Sequence, residues 1–362
     1  MPNRRQFLRQ MASASAGAVL LARGGDPLWG ASRAPQAAAK KHAPIMIAGR
    51  KIKTVDMHCH VNVPEAKQLI QGTPLEAVPG GTNVPLGAER LEKMDEMGID
   101  IQAVSINAFW YAADRDLATR LIDLQNHKLV EMCAAHPDRF VAFASVALQF
   151  PDLAAKQLED GMKLGLHGAA IGGSVEGEEI SLPKYDPFWA KVQELGVLVF
   201  MHPNGAENVA KMGAFEGAGD LGNIIGNPLE TIMFFSHLVY DGTLDKFPGL
   251  KIIGAHGGGY LPSYLGRTDV ACDVRANAKC VNKKHPREYL HDQILADSMV
   301  FTPEGVRHLV AEMGASQVAY GTDIPLVWPD TIDSILGAWP TAWFWRCRRI
   351  GSIVPSRPKS PA

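Results

Sequence analysis

Eight short apolar runs, each followed by a stretch of different periodicity, constrain the chain more than any single motif. The runs are Ile52–Val55, Ile101–Ile106, Phe140–Ala144, Gly168–Ile171, Val197–Met201, Lys251–Gly254, Ile294–Ala296 and Gln317–Tyr320. Helical patterns lie between them at Leu86–Met97, Asp116–Ala135, Leu153–Leu164, Pro187–Leu195, Leu229–Asp241 and Pro303–Met313. Leu117, Leu121, Leu124 and Leu129, for example, give the second helix one buried face. Eight strands alternating with helices predict an α/β fold, a (β/α)8 TIM barrel rather than an open doubly wound sheet. No dinucleotide-binding glycine fingerprint follows the first strand, which also argues against the open sheet. With 362 residues, 46% of them hydrophobic, the chain can fill a barrel of roughly 250 residues and carry extra segments.

The flanks read differently from the body. Arg4-Arg5 precedes Phe7-Leu8, an Ala- and Ser-rich apolar run follows, and Ala37-Ala38-Ala39 offers a small-residue cleavage site. That order predicts a twin-arginine export signal over residues 1–41 and a periplasmic enzyme; the apolar run is too short to span a membrane. Residues 42–338 form the barrel domain, and 339–362 an atypical tail. There Trp339, Trp343 and Trp345 alternate with Arg346, Arg348 and Arg349, and prolines follow. The tail reads like an altered reading frame, so the barrel is expected to be incomplete at its C-terminal end. A net charge of -2 and a pI near 6.6 give no reason to expect nucleic acid or an anionic membrane as a partner. Cys59, Cys133, Cys272, Cys280 and Cys347 form no CxxC pair and are read as free thiols, with Cys272–Cys280 the one conceivable bridge.

In a barrel, residues at the C-terminal ends of strands converge on one mouth. The first strand delivers His58 and His60, which alternation places on one face with Cys59 on the other. The fifth delivers His202, the sixth His256 and the eighth Asp323. Asp297 ends the seventh and belongs near the same place. Taken singly, each has a bland reading as a cap or turn residue. Jointly they predict a metal site, because imidazole and carboxylate donors from separate strands meet in one place. Trp328 walls the pocket or packs in the core. The connection Asn204–Asn227, with six glycines, is a lid or substrate wall, or simply a surface excursion. The remaining histidines are read as surface residues.

His-x-His, Met201-His202-Pro203, Ala255-His256-Gly257-Gly258-Gly259 and Tyr320-Gly321-Thr322-Asp323 together resemble the amidohydrolase superfamily. The resemblance is to the amidohydrolase-related branch, which includes aminocarboxymuconate-semialdehyde decarboxylase and aromatic-acid decarboxylases, and runs from about Ile52 to Asp333. It implies a mononuclear divalent metal, most often Zn2+ with Mn2+ or Co2+ tolerated, held by His58, His60, His202 and Asp323. It also implies that His256 handles protons beside the metal, with Asp323 both ligand and catalytic group. Arg267, in a matching stretch from Tyr260 to Arg267, would grip a substrate carboxylate, and in the family can come from a neighbouring subunit of a homodimer. Three functions follow: a carboxy-lyase acting on an aromatic or unsaturated small-molecule carboxylate, a hydrolase of a lactone, cyclic ester or amide on the same site, or an inactive copy.

Each large apolar side chain that missing terminal helices leave unburied forfeits roughly 1.5–3 kcal/mol. Replacing residues 339–362 with a family-like tail is therefore expected to raise the thermal midpoint; no gain in a melting experiment would remove the argument for a damaged end.

Overall fold

The computed structural model describes residues 46–47, 50–77, 86–326 and 328. The expected signal at 1–41 and tail at 339–362 lie outside the described residues. The barrel strands are β1 (Val55–His60), β2 (Ile101–Ser105), β3 (Phe140–Ala142, resumed after Phe143 by Ala144–Ser145), β4 (Gly168–Ile171), β5 (Leu198–Met201), β6 (Lys251–Gly254), β7 (Ile294–Asp297) and β8 (Val318–Ala319). Each lies parallel to its neighbour. The break at Phe143 separates a three-stranded from a six-stranded sheet, but the amides of Phe143 and His167 bond to Val104 and Ala142 and carry the ladder across. The other seam is closed by Met57 N–H to the Tyr320 carbonyl (2.8 Å) and His60 N–H to the Ile324 carbonyl (2.6 Å). The result is a distorted closed barrel of the expected class.

The principal helices are α1 (Ala88–Glu96), α2 (Arg115–Ala134), α3 (Pro151–Leu164), α4 (Asp186–Leu195), α5 (Asn227–Tyr240), α6 (Leu265–Val274), α7 (Pro286–Asp292) and α8 (Pro303–Met313). Their ends follow local chemistry. Asp114 accepts the Leu117 amide at the start of α2, Thr302 accepts the Gly305 amide at the start of α8, and α3 stops at Gly165 in the left-handed region. Leu117, Leu121 and Leu129 are buried as expected, with Leu124 packed against the same core. Neither α6 nor α7 stood out as a helical pattern in the sequence; α6 has no distinct apolar face, and most of its residues remain accessible.

Two apolar layers hold the structure. Val55, Met57, Ala103, Phe143, Ala170, Leu198, Phe200, Ile253 and Ala255 fill the barrel interior. A larger layer between strands and helices contains Cys59, Val104, Leu121, Trp189 and Phe235.

β1 departs from the sequence expectation in a way that matters. The strand is Val55–His60 rather than Ile52–Val55, so both histidines lie within it. Its register against β2 shifts between Asp56 and Cys59. Val55 and Met57 face the interior on one side of this bulge, while Cys59 faces outward beyond it and its Sγ–H donates to the Ala103 carbonyl. The irregularity lets a strand that fills the core also present His58 and His60 to the mouth.

Two further expectations need correction. Cys272 and Cys280 form a disulfide rather than remaining free, because a turn after α6 brings their Cα atoms to 5.9 Å. His167 is half-buried, not a surface residue, and burial lowers its pKa.

Phe200 is fully buried, with its ring 5.8 Å from Phe143 and 5.2 Å from His58. Phe200→Ala should cost about 3–5 kcal/mol, read from the urea midpoint at unchanged slope.

Candidate metal centre

His58, His60, His202 and Asp323 are all buried, and one potential donor atom from each falls within a 4.8 Å cluster. The two Nε2 atoms of His58 and His60 lie 3.1 Å apart. Asp323 Oδ1 is 3.2 Å from the first and 3.0 Å from the second. The His202 ring is centred 4.6 Å from that of His60 and 5.1 Å from that of His58.

What surrounds the cluster decides which atoms face inward. His58 Nδ1–H donates to Asp297 Oδ2 at 2.5 Å, so Nε2 is the nitrogen turned toward the cluster, where a cation could replace its proton. Ser105 Oγ lies 3.1 Å from His60 Nδ1 and also reaches the Cys59 carbonyl, holding His60 in the matching orientation. Neither ring nitrogen of His202 has a hydrogen-bond partner, although the residue is only 7% exposed. An imidazole stripped of water and left unpaired costs about 1–3 kcal/mol. A cation among these atoms would satisfy it. Three imidazole nitrogens and one carboxylate oxygen suit a divalent first-row ion, so the residues present fit the metal that the sequence reading implied.

The electrostatics agree. Burial works against charge on His58, but the carboxylates of Asp323 and Asp297 outweigh it and raise its pKa to about 10. Burial lowers the pKa of His60 and, with the neighbouring histidines, pushes that of His202 far down. Burial opposes ionisation of Asp323 as well, yet His58 and the other histidines hold its pKa below the usual carboxylate range. Without an ion, the pocket keeps a proton as its positive charge.

His256 stands beside this group, its ring centred 5.0 Å from His58 and 5.1 Å from His202. Its Nε2 lies 3.8 Å from Asp323 Oδ2, and its Nδ1 has no partner. The backbone reaches this position in the left-handed region (φ 55°). The glycines that follow permit the turn: a Cβ on Gly257 would come within 2.5 Å of Val300, and one on Gly259 within 2.4 Å of the Pro228 carbonyl.

Asp297 is therefore part of the centre, as its place at the end of β7 suggested. Besides His58, it accepts the amides of His256 (2.9 Å), Gly257 (2.7 Å) and Met299 (2.9 Å). Sequence reading missed a second buried network on the outer side of β1. Asp56 accepts from His58 N–H, Thr322 N–H, Thr322 Oγ–H and Gln102 Nε2–H. Arg90 donates both to Gln102 and to the His60 carbonyl. Burial raises the Asp56 pKa to about 6 against the pull of these donors. The only signal in the sequence was an acidic residue inside an apolar strand. Trp328, for which wall and core readings stood side by side, is partly exposed, lies 5.3 Å from the Phe301 ring and donates its indole N–H to Asp323 Oδ2 at 2.9 Å. Arg267 is not brought to the cluster; it projects from the exposed side of α6.

Comparison with known proteins agrees with this architecture. A sequence model for the family described as amidohydrolase matches residues 55–341. The chain is 29% identical over 276 residues to 2-amino-3-carboxymuconate-6-semialdehyde decarboxylase of Dictyostelium discoideum, covering 75% of this chain and 74% of that one. It is 32% identical over 249 residues to gamma-resorcylate decarboxylase of Rhizobium sp. (strain MTP-10005), covering 65% and 76%. Among solved structures, 2,6-dihydroxybenzoate decarboxylase from Rhizobium superposes with a TM-score of 0.66 at 26% identity, over 79% of this chain and 91% of that one. The fold is also shared with 5-carboxyvanillate decarboxylase from Sphingomonas paucimobilis, with a TM-score of 0.71 at 23% identity over 80% and 94%.

Asp323→Ala should abolish stoichiometric metal binding, and Asp297→Ala should weaken it about 10–100-fold, as measured by competition with a chromophoric chelator. Because the raised His58 pKa means that a proton must leave when a cation enters, zinc affinity should fall as pH is lowered. Calorimetry in two buffers of different ionisation enthalpy would reveal the released proton.

Proposed function

This chain belongs to the amidohydrolase family, and from that membership and its buried His3Asp cluster we propose a metal-dependent decarboxylase acting on a carboxylated aromatic small molecule. The observation that carries the reading is His256 Nε2 poised 3.8 Å from Asp323 Oδ2 at the edge of the cluster. The decarboxylases to which the chain is similar supply the reaction class.

His58, His60, His202 and Asp323 would hold the ion, for which zinc is proposed first and manganese or cobalt next. A divalent cation bound there supplies Lewis-acid polarisation and neutralises an anionic substrate oxygen. The protein's own groups do the rest. When the carbon–carbon bond to the carboxylate breaks, its electron pair stays on the ring carbon and carbon dioxide leaves. His256 Nε2 delivers the proton that this carbon then takes up, and Asp323 Oδ2 lies within reach to steady the imidazolium. Asp297 holds the amides of His256 and Gly257, fixing where that proton is offered. Arg267 is proposed to bind the substrate carboxylate in the partner subunit of a homodimer; the exposed apolar side chains of Tyr264, Val270 and Val274 on and beside α6 support a contact there. Export by the twin-arginine route is proposed from the N-terminal pattern, and the Cys272–Cys280 bridge supports it because disulfides persist in oxidising compartments.

Purified protein analysed for metal and assayed over a panel of hydroxylated benzoates should contain one divalent ion per chain and release carbon dioxide without incorporating solvent oxygen. Oxygen from labelled water appearing in the organic product would instead identify a hydrolase on the same site. His256→Asn should lower kcat by about 10²–10⁴-fold while keeping the metal; equal turnover would remove His256 from the chemistry.

A further inference from the structure

Glu230 lies on the first turn of α5, is 3% exposed and takes no part in the metal cluster. Its Oε2 accepts three successive amides, those of Asn204 (2.7 Å), Gly205 (2.7 Å) and Ala206 (2.9 Å). Its Oε1 receives the Ser174 hydroxyl at 3.4 Å. The three amides begin two residues beyond His202, where the connection 204–227 departs. The same connection returns through Gly226, at which a Cβ would sit 2.9 Å from the Gly205 carbonyl. Departure and return therefore touch, and the segment between them, which contains the helical turns Glu207–Ala210 and Gly222–Gly226, is a loop with its neck on one buried carboxylate.

The loop lies at the C-terminal end of the barrel, since it meets the segments that follow three other strands. Asn204 Nδ2–H donates to the Ala108 carbonyl beyond β2, Asn208 Nδ2–H to the Gly177 carbonyl beyond β4, and Tyr260 beyond β6 donates to the Ile224 carbonyl. Lys211 and Met212 project from its outer part, Met212 82% exposed. Burial pushes the Glu230 pKa up while the amides oppose the shift. Three N–H groups aimed at one oxygen match a carboxylate, whose charge makes each bond roughly twice as strong as with a neutral acceptor.

We propose that Glu230 is a positioning residue whose carboxylate clamps the neck of the 205–226 loop and so holds a wall of the substrate site beside His202. The inference deepens the decarboxylase reading and rests on it for the identity of the substrate, but the clamp itself is read from the fold.

Two substitutions test it in the full-length, metal-loaded protein. Glu230→Gln keeps the shape and removes the charge, and Gly226→Ala wedges the neck without touching Glu230. Both should accelerate trypsin cleavage after Lys211 by about tenfold with the thermal midpoint of the barrel and the metal content little changed. With 2,6-dihydroxybenzoate as probe, KM should rise about fivefold and kcat stay within about twofold. Parent-like cleavage in both folded variants would overturn the clamp. So would a loss of metal or an equal fall in kcat and kcat/KM, either of which would make Glu230 a support of the metal cage rather than of the loop. Should the parent protein not act on any aromatic acid, the decarboxylase reading fails, while cleavage after Lys211 still decides the clamp.

Discussion

The carboxylate of Asp297 is the point on which the site depends. One oxygen takes the His58 Nδ1 proton and the His256 amide, and the other takes the amides of Gly257 and Met299. A single buried charge thereby sets the tautomer of His58 on β1, the backbone of His256 after β6 and the start of the loop after β7. Burial alone would favour the neutral acid, but the bond to His58 and the nearby positive charge reverse this and keep Asp297 ionised.

Barrel closure and site assembly are the same event. The seam between β1 and β8 is sealed by backbone bonds at Met57 and His60, and behind it by Asp56 receiving both donors of Thr322. Asp323 N–H donates to the His58 carbonyl across that seam at 2.6 Å. Asp323, the fourth member of the cluster, is thus delivered only when the last strand meets the first. His256 and Asp323 both sit in the left-handed region without being glycine, which costs of order 1–3 kcal/mol each and is held by the surrounding bonds.

Much of this was legible in the chain. The strand–helix alternation gave the barrel because periodicity is a local property, and the clustered residues could be picked out because imidazole and carboxylate groups end four of the expected strands at the same relative position. Asp56 and Glu230 were not legible. Asp56 meets Gln102 and Thr322, 46 and 266 residues away, and Glu230 meets amides 24–26 residues before it, and a lone acid in an apolar segment does not reveal which donors will meet it. The Cys272–Cys280 bridge was hidden for a similar reason: eight residues of separation permit a bond, but only the turn after α6 brings the two Cα atoms close enough.

By itself, then, the sequence determined the α/β class, the order of the strands and which histidines and aspartates end the strands at one mouth, since these follow from residue type and spacing. Tertiary structure decided the bulge that lets β1 both fill the core and bring His58 and His60 into the cluster, the four-way grip of Asp297 and the bonds of Glu230 to the loop beside His202. Each of these is a bond between segments far apart in the chain, and such bonds exist only once the barrel has closed.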